Sequence, residues 1–325
     1  MRVLITGIEG FAGGHLSTLL LKEGWDVYGV KHPQSSFENI EDIKDKIDVV
    51  GIDINDHQKV RSYLRDIKPE GIIHLAAFSR VGLSWRSKVE TYRTNILATA
   101  NILEVASTIE PPPGVLMISS AEVYGPLPQE KMPIREDYKL NPTNPYAVSK
   151  AAVEMITGQF LCEKPNLVWK IVRPFNHTGP NQTTGFVCSD FAKQVAMIES
   201  GKTEPEIKVG NLNAKRDFSD VRDVVRAYKM LIESDTREIY NVCSGRTYSI
   251  KVILEMLLNM SKSNIKVTVD KSKFRPIDTP VILGDNSKIK KDLGWEPKYK
   301  FEQTLEDLLN YWRRQTGLEE GGSNG

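Results

Sequence analysis

Short, almost unbroken apolar runs alternate with longer stretches of helical period through the first half of the chain, and this leaves few folds open. RVLIT is followed by FAGGHLSTLLLKEG and then DVYGV. DVVGIDI precedes DHQKVRSYLRDI, and GIIHLAA precedes VETYRTNILATANILEVAST. VLMISS, a helical NPYAVSKAAVE and VWKIVRP complete the series. A strand that is apolar throughout is buried on both faces, and helical crossovers supply the cover. The expected class is therefore α/β, a doubly wound parallel sheet with right-handed crossovers.

A chain of 325 residues exceeds a typical single core, so a second unit is expected. After Pro174 the alternation loosens, and FNHTGPNQTTG concentrates Gly, Asn and Thr. REIYNVCSG reads as a late strand returning to the first sheet. The expected division is 1–174 with 217–246 for the dinucleotide-type sheet, and 175–216 with 247–317 for a smaller α/β substrate unit. Residues 318–325, LEEGGSNG, read as a disordered tail.

A net charge of +1 gives no reason to expect nucleic acid or an anionic membrane as partner. The three cysteines lack metal-ligand spacing and read as reduced thiols of a cytoplasmic protein, so no metal is expected. No apolar run approaches bilayer length, and the strand-like MRVLIT at the start does not read as a leader.

Gly7, Gly10 and Gly13 fall between the first strand and the first helix, in ITGIEGFAGGHL. A glycine-rich turn there lets backbone N–H groups approach a pyrophosphate at the helix N-terminus, the mark of a Rossmann dinucleotide site. The spacing, G-x-x-G-x-x-G, departs from the commoner G-x-G-x-x-G. An acid ending the second strand would hold the ribose 2′-OH of NAD(H). Here Lys31 and His32 stand at that point. A cation pairs with a 2′-phosphate, so NADP(H) is favoured, with NAD(H) as the alternative. Asp53 and Ile54 end the third strand, where the carboxylate can meet an adenine amine. Leu75, Ala76 and Ala77 end the fourth, where small side chains leave room for a cofactor.

Tyr146 and Lys150 lie one helical turn apart, on one face. A free phenol titrates near 10, and a neighbouring ammonium favours phenolate, bringing the tyrosine into range for acid–base work. Such a pair also occurs as an ordinary packed aromatic beside a solvated lysine, so the weight falls on the company it keeps.

The set Gly7-Ile-Glu-Gly10-Phe11-Ala-Gly13, HLAA, SSAEVYG, Tyr146-x-x-x-Lys150 and VRPFNHTGP occurs in one order along the chain. It resembles the extended short-chain dehydrogenase/reductase family, which includes nucleotide-sugar epimerases, dehydratases and reductases. The second half, with VGNLNAKRDFSDVRDVVRAY and RPIDTPVILGDNSKIKKDLGWEP, is similar to the branch acting on GDP-4-keto-6-deoxy-D-mannose. The resemblance implies that Ser120, beside Ser119, holds the reacting oxygen, Tyr146 donates a proton, and Lys150 tunes the phenol. It also implies that Phe11 and Arg173 lie at the cofactor. Glu122 either abstracts a proton, as a dehydratase needs, or only binds the sugar. Asn176, Lys193, Val209, Arg216, Arg275 and Asp278 match substrate positions, the arginines suiting a diphosphate. Asn95 matches a structural asparagine.

The implied activity is reduction of the C4 ketone of GDP-4-keto-6-deoxy-D-mannose by NADPH. The alternatives are GDP-mannose 4,6-dehydration, another nucleotide-sugar epimerisation, or a non-catalytic dinucleotide sensor. The resemblance further implies a homodimer paired through a four-helix bundle.

Overall fold

A computed structural model describes residues 1–164, 166–273 and 279–317, so Arg275, Asp278 and the 318–325 segment lie outside the described residues. The first half runs β1 (Arg2–Thr6), α1 (Phe11–Lys22), β2 (Asp26–Lys31), β3 (Asp48–Gly51), α2 (His57–Ile67), β4 (Gly71–His74), α3 (Val81–Ser84), α4 (Lys88–Tyr92), α5 (Ala98–Ala106), β5 (Gly114–Ile118), α6 (Pro145–Glu163) and β6 (Trp169–Pro174). The remainder is β7 (Asn176–Thr178), α7 (Val187–Glu199), β8 (Glu206–Val209), β9 (Lys215–Asp220), α8 (Val221–Glu233), β10 (Ile239–Val242), β11 (Thr247–Ser249), α9 (Ile250–Asn259), β12 (Lys266–Val269), β13 (Val281–Ile282), α10 (Ser287–Leu293) and α11 (Phe301–Gln315).

The main sheet has seven parallel strands in the order β10-β6-β5-β4-β1-β2-β3. The late strand anticipated in REIYNVCSG is β10, paired with β6. Strand order reverses between β1 and β4, and in such sheets ligands bind beyond the carboxyl ends at that switch. Both faces are buried, as the unbroken apolar runs require. Val3 and Ile5 pack with Leu16 and Leu20 of α1 and Tyr228 and Leu231 of α8. Leu4, between them, points the other way, into a cluster with Leu64 of α2, Leu103 of α5 and Val153 of α6. Fully burying one such side chain stabilises by roughly 1.5–3 kcal/mol.

A second cluster joins α7, α9 and α11 through Phe191, Ile253, Leu257 and Leu308. In this part β9 pairs with β7, β11 and β13, while β8 pairs with β12. No helix among the described residues is long and apolar enough to cross a membrane.

Helix α6 carries the tyrosine–lysine pair, and its start is fixed locally. Asn144 Oδ1 accepts from Ala147 N at 2.8 Å, and Pro145 takes the first helical position, where no N–H is needed. Upstream, the segment after β5 turns at Gly125 with φ +63°, and Asn141 N donates to Val123 O at 2.9 Å. A Cβ on Gly125 would lie 1.9 Å from the Asn141 carbonyl oxygen. Gly125→Ala is expected to lower folding stability by about 2 kcal/mol or more, read as a drop in the thermal unfolding midpoint; an unchanged midpoint would show that the turn relaxes freely.

Candidate active site

The switch between β1 and β4 is opened by glycines. Gly7 has φ +68°, and a Cβ there would meet the Ala76 backbone at 2.8 Å, so only glycine lets the turn pass so near the end of β4. Gly13 faces the Ile8 carbonyl, 2.5 Å from where its Cβ would be, which brings α1 down onto the turn. Gly10 caps α1 without a side chain, and no acid sits in the first helical turn. The positive end of α1 is thus left to an external anion. Phe11 opens α1 with its ring stacked on His177 at 6.0 Å, and His15 meets its edge at 5.5 Å.

The β4 end is held by a buried relay. Thr6 Oγ1 contacts His74 Nδ1 at 2.7 Å, His74 Nε2 contacts Thr99 Oγ1 at 3.2 Å, and Ala76 N donates to Thr6 Oγ1 at 3.3 Å. Burial, with Lys150 adding to it, pushes His74 down to about 3, so it is a neutral strut. Asn95 accepts from Phe78 N at 2.7 Å and donates to Ser149 Oγ at 2.8 Å, stitching the segment after Ala77 to α6. Leu75 and Ala77 are half-buried beside it.

Ser120, Tyr146 and Lys150 meet beyond β5. Tyr146 and Lys150 are buried, and Ser120 lies beside the phenol, close enough to favour its anion. Lys150 Nζ lies 6.0 Å from the Tyr146 ring centroid and donates to Ile118 O at 2.7 Å. Burial raises Tyr146 to about 12; Ser120 opposes this and the Glu122 carboxylate adds to it. Burial lowers Lys150 to about 8, against the pull of Glu154. The sequence argument had the ammonium bringing the phenol down; here Lys150 is turned to the Ile118 carbonyl, and burial sets the direction of the Tyr146 shift. The phenol therefore keeps its proton at neutral pH, the state of a proton donor. Glu122 Oε2 accepts from Asn144 Nδ2 at 2.9 Å, so one asparagine both caps α6 and aims this carboxylate.

The remaining residues named from sequence have the following partners and surroundings. Arg173, expected at the cofactor, is committed to protein partners. Its Nε and Nη2 bind Glu154 at 2.9 and 2.7 Å, and its Nη1 donates to Tyr124 Oη at 2.9 Å and Glu136 O at 3.0 Å. Lys31 is buried, its Nζ donating to the carbonyls of Ser35 at 2.6 Å and His32 at 3.1 Å, with the Phe37 ring 4.9 Å away. Its ammonium shapes the loop after β2. Val209 is 1% exposed inside the second cluster, and its carbonyl accepts from Asp270 N. Lys193 Nζ lies over the Trp312 ring at 4.9 Å. Arg216 Nη1 donates to Lys215 O at 2.9 Å and Thr279 O at 2.7 Å, anchoring the approach to β13. Asn176 is exposed on β7, opposite Phe218 of β9. Asp53 accepts from Asn55 N at 3.0 Å, which holds its carboxyl below the usual range, and Ile54 is buried with its carbonyl taking Asn101.

Glu9, Asn144 and Glu154 were not singled out from sequence. Asn144 was findable as a cap before proline; Glu9 and Glu154 act through residues distant in sequence.

Glycine turn, free helix end and buried tyrosine–lysine pair together fit a nicotinamide dinucleotide beside a reacting oxygen. Comparison with known proteins gives the class: the chain belongs to the GDP-mannose 4,6 dehydratase family, a branch of the extended short-chain dehydrogenases/reductases, and the family model matches residues 4–308. Among individual proteins, it is 30% identical to the GDP-6-deoxy-D-mannose reductase of Pseudomonas aeruginosa, over 98% of this chain and 99% of that one. A solved structure of RMD from P. aeruginosa complexed with NADPH superposes with a TM-score of 0.82 at 28% identity, covering 97% of this chain and all (100%) of the other. The Thermus thermophilus UDP-glucose 4-epimerase complex with NAD gives a TM-score of 0.86 at 25% identity, covering 96% and 99%.

The Lys150 shift has a consequence for stability. Its value falls from an ordinary 10.5 to about 8 on folding, so the unfolded chain binds the proton more tightly between those values. Folding is therefore penalised below about pH 8, and the penalty fades as pH rises towards 10.5. The stability of the native protein relative to Lys150→Met should rise across that window, measured by thermal melts at stepped pH; a flat difference would rule the buried ammonium out.

Proposed function

We propose that this chain reduces the C4 ketone of GDP-4-keto-6-deoxy-D-mannose to a GDP-6-deoxyhexose, GDP-D-rhamnose or its C4 epimer. The observation that carries the reading is the Tyr146 phenol, buried beside Ser120 and one helical turn from the buried Lys150. Similarity to the P. aeruginosa reductase over nearly both full chains supports the substrate.

A bound nicotinamide dinucleotide supplies the hydride. Ser120 holds the ketone oxygen, and Tyr146 gives it the proton as negative charge develops there. Lys150, anchored on the Ile118 carbonyl, stabilises the phenolate left behind. Glu122, aimed by Asn144, binds the sugar.

Glu122 is also the observation that favours a second reading, GDP-mannose 4,6-dehydration, because removing a proton α to a ketone needs a carboxylate near the sugar. Two assays separate them. Oxidation of the reduced cofactor with GDP-4-keto-6-deoxy-D-mannose, and no ketone from GDP-mannose, is the expected result; ketone formed from GDP-mannose without net cofactor turnover would establish the dehydratase. Tyr146→Phe should cut turnover by about 10²–10⁴-fold while cofactor affinity stays as it was.

The same reading includes a homodimer. Val89 on α4 is 80% exposed, Leu97 57% and Met155 on α6 67%, and α4 packs against α6. Exposed apolar side chains on neighbouring helices call for a cover, and a second copy pairing α6 and its neighbours provides one. Sedimentation should show a dimer that Val89→Glu with Met155→Glu converts to monomer; a monomeric native protein would remove the four-helix bundle from this account.

A further inference from the structure

Directly past the carboxyl end of β2, where the adenosine ribose of a dinucleotide lies in this fold, residues 32–37 carry no acid. The fold brings one there from the glycine turn. Gly7 N donates to Val30 O at 2.8 Å, which sets the turn against β2. Two residues on, Glu9 Oε1 accepts from His32 N at 2.9 Å and from Ser35 Oγ at 2.7 Å, and Asn39 Nδ2 donates to Glu9 O at 2.9 Å. Glu9 Oε2 is enclosed with no hydrogen-bond partner. A carboxylate with two donors on one oxygen and none on the other is unusual for a native protein, and it points to a group that arrives with the ligand.

The cation that could have offset this charge is committed elsewhere. Lys31 Nζ is directed into the carbonyls of His32, Pro33 and Ser35, on the inside of the loop whose outer residues His32, Pro33 and Gln34 are exposed. The exposed Arg93 guanidinium lies near the Asp53 carboxyl and lowers it, with the exposed His32 side chain beside them. Their presence means that the subsite discriminates without excluding a phosphate outright.

We propose that Glu9 sets the discrimination between NADH and NADPH in this chain: its carboxylate accepts from an unphosphorylated adenosine ribose and opposes a 2′-phosphate. The usual arrangement places that acid on β2; here the glycine turn supplies it, and Lys31 serves to hold the loop that receives it. Glu9→Gln keeps an acceptor for His32 N and Ser35 Oγ while removing the charge, so the loop is preserved and only the electrostatics change.

The proposal rests on the dinucleotide part of the reading above and not on the sugar. Its test is therefore a binding titration of the purified protein with NADH and with NADPH separately, without sugar, followed by quenching of tryptophan fluorescence. Glu9→Gln, and Glu9→Ser as a second variant, should shift the ratio of the two dissociation constants by about tenfold or more towards NADPH, the change that 1.4 kcal/mol sets. Lys31→Met should move both constants by the same factor. An unchanged ratio in both Glu9 variants, or a loss confined to NADPH in Lys31→Met, would overturn the role given to Glu9. Failure of the native protein to bind either nucleotide would instead bring down the dinucleotide reading, and this inference with it.

Discussion

The fork between Arg173 and Glu154 is the interaction on which the placement of Tyr146 and Lys150 depends. Arg173 stands on β6 and Glu154 on α6, one turn beyond Lys150, and both side chains are almost fully buried. Ser119 at the end of β5 donates to the same carboxylate, and Tyr124 bridges the guanidinium to Asn241 of β10. Helix α6 is thereby fixed against three strands at the level of the reacting groups. A buried pair like this is a poor source of net stability, but removing one partner leaves a bare charge and costs about 3–5 kcal/mol. Its value is positional: the tyrosine and lysine have one place to be.

That placement has an electrostatic cost, met within the same network. Burying Lys150 lowers it, and Glu154 pulls it back towards the charged form. Burying Tyr146 raises it, while Ser120 opposes the rise. The phenol consequently keeps its proton at neutral pH, and in the proposed reaction Lys150 acts on the anion left after proton transfer. Asn144 links this chemistry to the helix itself, since the residue that starts α6 also orients Glu122.

Much of the fold was legible in the sequence because apolar patterning is a local property. Unbroken apolar strands separated by helices define a parallel sheet, and even β10, far along the chain, was visible as a strand of the same kind. Gly7 and Gly13 were legible for a similar reason, since close backbone approach leaves no room for a Cβ. Side-chain direction was less legible. Arg173 lies near the carboxyl edge where ligands bind, yet the strand turns its side chain inward to Glu154. Val209 ends a strand in the right region, but its alternation places it in the core. Lys31 occupies the expected position after β2, and the loop's own carbonyls capture its ammonium.

The sequence by itself determined the α/β class, the strand-to-helix turn suited to a phosphate, and the tyrosine and lysine on one helical face. Each follows from residue spacing over a few turns or strands. Tertiary structure decided which charges are available to a ligand, because that depends on partners brought from elsewhere in the chain. Glu154 meets Arg173 across 19 residues and Glu9 meets Ser35 across 26. Burial then set the protonation of Tyr146 and Lys150, since desolvation exists only once the surrounding core has closed.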